Sequence, residues 1–145
     1  MTTRLETLSA EECRELLERG VVGRVAITAQ GIPEVLPVNY TLIDGNIVFR
    51  AGRGTVLHGS TSDAPIAFEV DQSDPATLSG WSVLVVGFSK EVTDRREVDR
   101  ALAILPDGWV PHEHEHVIRL QPIRVSGRRI LRSDARDGQA SRRTS

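Results

Sequence analysis

Cysteine is almost missing from this chain of 145 residues: Cys13 stands alone, which rules out an intramolecular disulfide and suits a reducing cytoplasm. Lysine is as scarce, with Lys90 the only one and arginine supplying the other basic side chains, a bias that coding composition explains as readily as function. No apolar run approaches the roughly 20 residues that a membrane-crossing helix needs. The first residues, MTTRLETLSAEE, carry acids and no apolar signal region. An excess of either charge is lacking too: the formal net charge is −2, so nothing in the balance favours a nucleic-acid or membrane partner. No P-loop, catalytic-triad order, nucleic-acid motif or internal repeat occurs. These absences predict one soluble cytoplasmic domain, with enough chain to bury a core.

What the chain does contain is a series of short β-like runs, broken by turn signals and accompanied by two helices. Ser9-Ala10-Glu11-Glu12 is a capping box, and Leu8 with Cys13 can form a hydrophobic staple. Leu16 and Leu17 continue the apolar face, so a helix is predicted over residues 9–19, ended by Gly20 as a C′ glycine. Strands are predicted over residues 22–29, 33–43, 46–51, 66–71, 81–92 and 116–125. Gln30-Gly31 is a tight turn, and Asp44-Gly45 is a type I′ hairpin signal. Pro37 cannot donate to a ladder, so its strand is bent, bulged or at an edge there. Gly87 inside an apolar strand marks a bulge or a close backbone approach. Asp94 caps a second helix over residues 95–104, and residues 55–62 offer a further helical turn or two. From Ser133 the chain is polar and lacks apolar anchors, so the domain is residues 1–132 and residues 133–145 read as a disordered tail. The fold class is mainly β: about six antiparallel strands in a small closed or split barrel with two or three short helices, a sandwich being the rival.

The stretch IVFRAGRGTVLHGS, residues 47–60, runs from a strand through a glycine turn to a hydroxyl at a helix start. Small residues there let backbone N–H groups reach an anion, and Arg50 and Arg53 can fork onto phosphate oxygens. Taken alone it reads as an ordinary surface turn. His112, His114 and His116 alternate with Glu113 and Glu115, so an extended chain sets imidazoles on one face and acids on the other. A divalent-metal site is one reading of that alternation, but a polar loop leading into the last strand is favoured, and no metal is assigned. His58 either contacts a phosphate or caps a short helix. Glu69 and Asp71, two apart on a strand face, read first as partners of an arginine and only second as an acid–base pair. Trp81 reads first as core, Trp109 as a pocket or interface residue, Tyr40 as a half-buried sheet tyrosine and Cys13 as a small hydrophobe. No catalytic group is assigned.

Several motifs stand in order: Gly23-Arg24-Val25-Ala26, Pro33, Pro37-Val38-Asn39-Tyr40, and Phe49-Arg50-Ala51-Gly52-Arg53-Gly54-Thr55. Ala67-Phe68-Glu69-Val70-Asp71, Gly80-Trp81-Ser82-Val83-Leu84-Val85-Val86-Gly87 and Ser126-Gly127-Arg128-Arg129-Ile130 complete the series. Over residues 8–130 the chain resembles the pyridoxamine 5′-phosphate oxidase-like family, in its branch related to nitroimidazole-resistance flavoproteins. The resemblance implies a six-stranded antiparallel split β-barrel and a homodimer with FMN between its subunits. It implies that Pro37, Val38, Asn39 and Tyr40 run along the flavin ring, and that Arg50, Ala51, Gly54, Thr55 and Val56 form the phosphate end. Ser82 would approach from the other subunit, with Trp81 beside it as a cofactor contact second to its core role. A further reading of the three histidines, from their place before a strand near the barrel mouth, is that one of them borders the flavin pocket. Two departures qualify the likeness. Val56 stands where family members commonly carry a lysine, which removes a charge-assisted phosphate contact. Arg128-Arg129-Ile130 does not match the arginine-rich motif of true pyridoxamine 5′-phosphate oxidases, so vitamin B6 oxidation is not expected. The implied function is FMN-dependent oxidoreduction of a small molecule with a reduced nicotinamide as donor. The alternative is a flavin, deazaflavin or haem binding or regulatory module without turnover.

Overall fold

The computed structural model describes residues 2–52, 55, 57, 58, 61, 63–106 and 115–133. Seven strands and two helices follow one another: β1 (Thr2–Thr7), α1 (Ala10–Arg19), β2 (Val22–Ala29), β3 (Ile32–Ile43), β4 (Asn46–Gly52), β5 (Ala64–Asp74), β6 (Ser79–Glu91), α2 (Arg95–Ile104) and β7 (Glu115–Ser133). All neighbouring strands are antiparallel, in the order β1-β7-β4-β3-β2-β5-β6, and β6 returns to pair with β7. Six strands, β2 to β7, therefore close a ring, as expected, and closure leaves few free edges. β1 is an addition that the sequence did not announce. One edge of β7 takes β4 over residues 115–120 and then β1 over residues 128–133. β7 also runs through Ser133, where the tail was expected to begin; residues 134–145 lie outside the described residues.

Local chemistry accounts for most of these elements. At α1, Ser9 Oγ accepts from the Glu12 N–H at 3.1 Å and Glu12 Oε1 accepts from the Ser9 N–H at 3.3 Å, completing the capping box. Gly20 ends α1 for a reason other than the expected one. Its φ is −76°, an ordinary value, but a Cβ there would lie 2.0 Å from the Tyr40 hydroxyl. Space, not handedness, selects that glycine. The two hairpin turns do need positive φ: Gln30 and Asp44 sit at 52°, Gly31 and Gly45 at 79°, the type I′ pattern. At Gly87 both expected features occur: a bulge interrupts the ladder between Val86 and Gly87, and a Cβ would meet the Gln121 carbonyl at 2.0 Å.

The barrel interior is filled by Val25, Ile27, Tyr40, Ile47, Phe49, Phe68, Val83, Val85, Ile118 and Leu120, with Cys13, Leu16 and Leu17 of α1 packed onto the same cluster. Cys13 is a buried hydrophobe, as anticipated. A smaller outer cluster joins Val48 and Val117 to Ala101 and Leu105, and this fixes α2 on the outside of β4 and β7. Among the described residues no helix is long and apolar enough to cross a membrane.

Candidate functional site

β3 carries the first group of sequence-assigned residues. Val38 and Tyr40 point into the barrel, whereas Pro37 and the half-buried Asn39 lie on its outer side. The Tyr40 hydroxyl donates to the Leu17 carbonyl at 2.7 Å, and burial pushes its pKa up to about 12. Its ring meets Phe68 edge-on, with centroids 4.7 Å apart. Tyr40 therefore ties β3 to α1, the structural role favoured from the sequence. Over residues 32–39 the ladder pairs this strand with β2 only, since β4 joins from Tyr40 onward. Pro37 thus sits where β3 is locally an edge, and the peptide groups of residues 32–38 have no strand on that side among the described residues.

At the end of β4, Ala51 is buried opposite His116, and Arg50 turns outward toward α2. The Arg50 Nη2 donates to the carbonyls of Leu102 and Leu105 at 3.2 and 3.1 Å. This closes the C-terminal end of α2, whose last carbonyls have no partner within the helix. Thr55 Oγ1 donates to the Gly52 carbonyl at 2.6 Å and accepts from the His58 N–H at 3.2 Å, so the hydroxyl holds the turn together. Arg53, Gly54 and Val56 lie outside the described residues, as do Trp109, His112 and His114.

Trp81 packs against the barrel core, and Ser82 faces the outer side between Asp71 and Arg128. An open groove of about 490 Å³ passes over this place, lined by Asp71, Asp74, Leu78, Trp81, Ser82 and Arg128 among others. The register row Pro37–Arg24–Glu69–Leu84 crosses β3, β2, β5 and β6. At the usual strand spacing this puts β3 and β6 roughly 15 Å apart along one outer face. One subunit does not bring Ser82 onto residues 37–40.

The face between them has two parts. Arg24 Nη1 bridges Glu69 Oε1 at 3.1 Å and Asp71 Oδ2 at 3.0 Å, the arginine pairing expected for these acids. Burial and the adjoining Asp71 carboxylate push Glu69 up to about 7, against the pull of Arg24. Beside this network the row Val35–Ala26–Ala67–Val86 is apolar across four strands, and Phe88 lies opposite Pro65. Val35 is 62% exposed and Phe88 53%.

A further cluster was not legible as such. His58, Glu91 at the end of β6 and His116 at the start of β7 meet behind the β4 turn. Glu91 Oε1 lies 2.7 Å from His58 Nε2 and 2.5 Å from His116 Nδ1. The His58 hydrogen bond holds the Glu91 carboxyl below the usual carboxylate range, against some burial and with help from the imidazole charges. His116 had been grouped with its sequence neighbours; a strand end and a turn, distant in the chain, supply its actual partners.

The sequence model of the family described as pyridoxamine 5′-phosphate oxidase matches residues 9–129. The uncharacterized protein Rv0080 of Mycobacterium tuberculosis is 34% identical over 129 residues, covering 86% of this chain and 84% of its own length. Among solved structures, an FAD-binding protein of Mycobacterium smegmatis superposes with a TM-score of 0.73 at 29% identity, covering 87% of this chain and 98% of that one. An FAD-binding protein of Mesorhizobium loti does so at 0.72 and 27% identity, over 86% of this chain and 97% of the other.

Proposed function

The chain belongs to the pyridoxamine 5′-phosphate oxidase family, and from that premise we propose that it is a flavin-dependent oxidoreductase acting on a small molecule in the cytoplasm, with FMN held at a homodimer interface. The observation that carries the reading is the open edge of β3. A flavin ring presents alternating hydrogen-bond donors and acceptors along its rim. The peptide groups of residues 32–38, with no strand on one side among the described residues, match that requirement. The residues fit the group at its ring end. The two FAD-binding relatives support a flavin, and FAD contains the whole of FMN within it.

A bound flavin supplies two-electron transfer between a reduced nicotinamide and an oxidised acceptor, which accounts for a site without an assigned acid or base. The protein's part is to orient the ring along β3 and to exclude water from it. A second subunit does both: its apolar row at Val35, Ala26, Ala67 and Val86 meets its own copy, and its Ser82 arrives at the ring bound on the first. The phosphate end falls to the turn after β4, with Thr55 and the backbone around it.

Flavin titration tests the proposal. The purified protein is yellow or quenches added FMN at one equivalent per chain, and FAD competes. A colourless protein that binds neither flavin overturns it. Val56 in place of the family's lysine, together with the engagement of Arg50 at α2, favours a second reading, a flavin-holding module without turnover. Anaerobic reduction of the bound flavin separates the two. Reoxidation by small acceptors faster than free FMN supports the enzyme, and equal rates support the module.

A further inference from the structure

The cluster behind the β4 turn adjoins the proposed phosphate end through Thr55, but its chemistry is of another kind. Three elements each contribute one donor. His58 follows the Thr55 turn and is held by its N–H bond to Thr55 Oγ1. Glu91 closes β6 opposite Ile118, and His116 opens β7 opposite Ala51. The two imidazoles stack with centroids 3.9 Å apart and planes 18° from parallel. Both direct a ring nitrogen at the same carboxylate oxygen. All three side chains are half-buried, and the three donor atoms lie within 4.8 Å of one another. The His116 Nε2 is buried and has no hydrogen-bond partner among the described residues.

We propose that His58, Glu91 and His116 form a three-ligand site for a first-row divalent cation, Zn²⁺ or a similar ion, with water in the remaining position. Two imidazoles and one carboxylate are a donor set that such ions favour over magnesium or calcium, which take oxygen ligands. Zinc bonds of about 2.0–2.1 Å in tetrahedral array hold their donors about 3.4 Å apart, so the two carboxylate–imidazole separations widen by less than about 1 Å. The two rings also turn out of their stack, since nearly parallel planes cannot both contain one ion, and rotation about the side-chain torsions of His58, Glu91 and His116 supplies these movements. Coordination uses the lone pairs of His58 Nε2 and His116 Nδ1. The ring protons then reside on His58 Nδ1 and His116 Nε2, a change of tautomer that releases no net proton from neutral imidazoles.

A hydrogen-bonded trio that merely tethers the turn is the competing account, and it predicts no metal. The site also differs from the alternation of His112, His114 and His116 read from the sequence, since only His116 is shared. Its test is independent of flavin binding. Chelator-stripped full-length protein is titrated with ZnCl₂ against a chromophoric chelator, and with CoCl₂ while the visible ligand-field bands are followed. One ion binds per chain. His58→Ala and Glu91→Gln each weaken binding at least tenfold and abolish the cobalt bands, whereas the His112→Ala/His114→Ala double variant keeps both. Far-ultraviolet circular dichroism in EDTA checks that each variant is folded, and Glu91→Gln retains the shape and hydrogen bonding if His58→Ala does not fold. No binding by the native chain overturns the proposal. So does binding that survives Glu91→Gln, or binding that disappears in the double variant alone.

Discussion

Glu69 carries the clearest pH dependence in the molecule. Its ordinary value is 4.5, and burial together with Asp71 pushes it up to about 7 in the folded chain. A raised folded value means that folding takes up a proton. The stabilising contribution is complete below about pH 4.5 and is lost as pH rises through about 7. The side chain is 35% exposed, so solvent screening reduces the effect to on the order of 1–2 kcal/mol. Glu69→Gln, which stays neutral, flattens the fall in urea-unfolding free energy between about pH 5 and pH 8 by that amount. Equal slopes for the two proteins would contradict this. At this scale the sequence was a partial guide. The pairing of Glu69 and Asp71 with an arginine followed from two acids on one strand face. Tyr40 was expected to be a half-buried sheet tyrosine; its bond to the Leu17 carbonyl of α1 was not foreseen. The meeting of His58, Glu91 and His116 did not follow, because nothing local relates three residues whose contact depends on how β6 and β7 enter the barrel. Gly20 was read correctly as a helix end but for the wrong cause, since the tyrosine that crowds it lies on another strand.

Elements were more legible than contacts, with one instructive exception. The capping box, the type I′ turns and the apolar alternation each act over four to eight residues, and they located both helices and, apart from the far half of β7, six strands to within a few positions. β1 escaped because its side chains are mostly exposed, leaving no apolar pattern; ladder hydrogen bonds to β7 make it a strand. The far half of β7 escaped for the same reason, with Arg124, Arg128 and Arg132 turned to solvent. Anchoring of α2 was equally invisible. Only Ala101 within this helix is fully buried, so the Arg50 bonds to Leu102 and Leu105 form a large share of its attachment. Arg50→Met keeps the apolar stem and removes those bonds. The expected cost is about 2 kcal/mol, in line with hydrogen bonds from charged donors. Hydrogen exchange localises it: amides over residues 98–105 exchange faster while those of β2 and β5 are unchanged. A uniform increase across the barrel would show that Arg50 supports the sheet instead.

For the whole molecule, the proposed dimer is expected to use the outer face of β2, β5 and β6. A row of Val35, Ala26, Ala67 and Val86, flanked by the exposed Phe88, is the kind of contiguous apolar surface that marks an interaction site. On a two-fold axis the same patch serves both partners. Ala67→Arg places a charge in the middle of it. Light scattering on the eluting protein then reports a monomer, flavin affinity falls by more than tenfold, and thermal unfolding stays cooperative. A dimer that persists with unchanged affinity would remove this face from the interface. Closure of the barrel has a consequence in time as well as in space. β7 is synthesised after the other six described strands, and it supplies the edges on which β4, β6 and β1 all depend. Thr2 pairs with Ser133, a partner 131 residues later in the chain. At ordinary translation rates the interval between completing β6 and completing β7 is on the order of seconds. During it, Leu84, Val86 and Phe88 stand on an unpaired edge beside other nascent chains. The ring cannot be built one strand at a time as the ribosome delivers it; it closes only after β7 has arrived, and the β6 edge is exposed to aggregation during that wait.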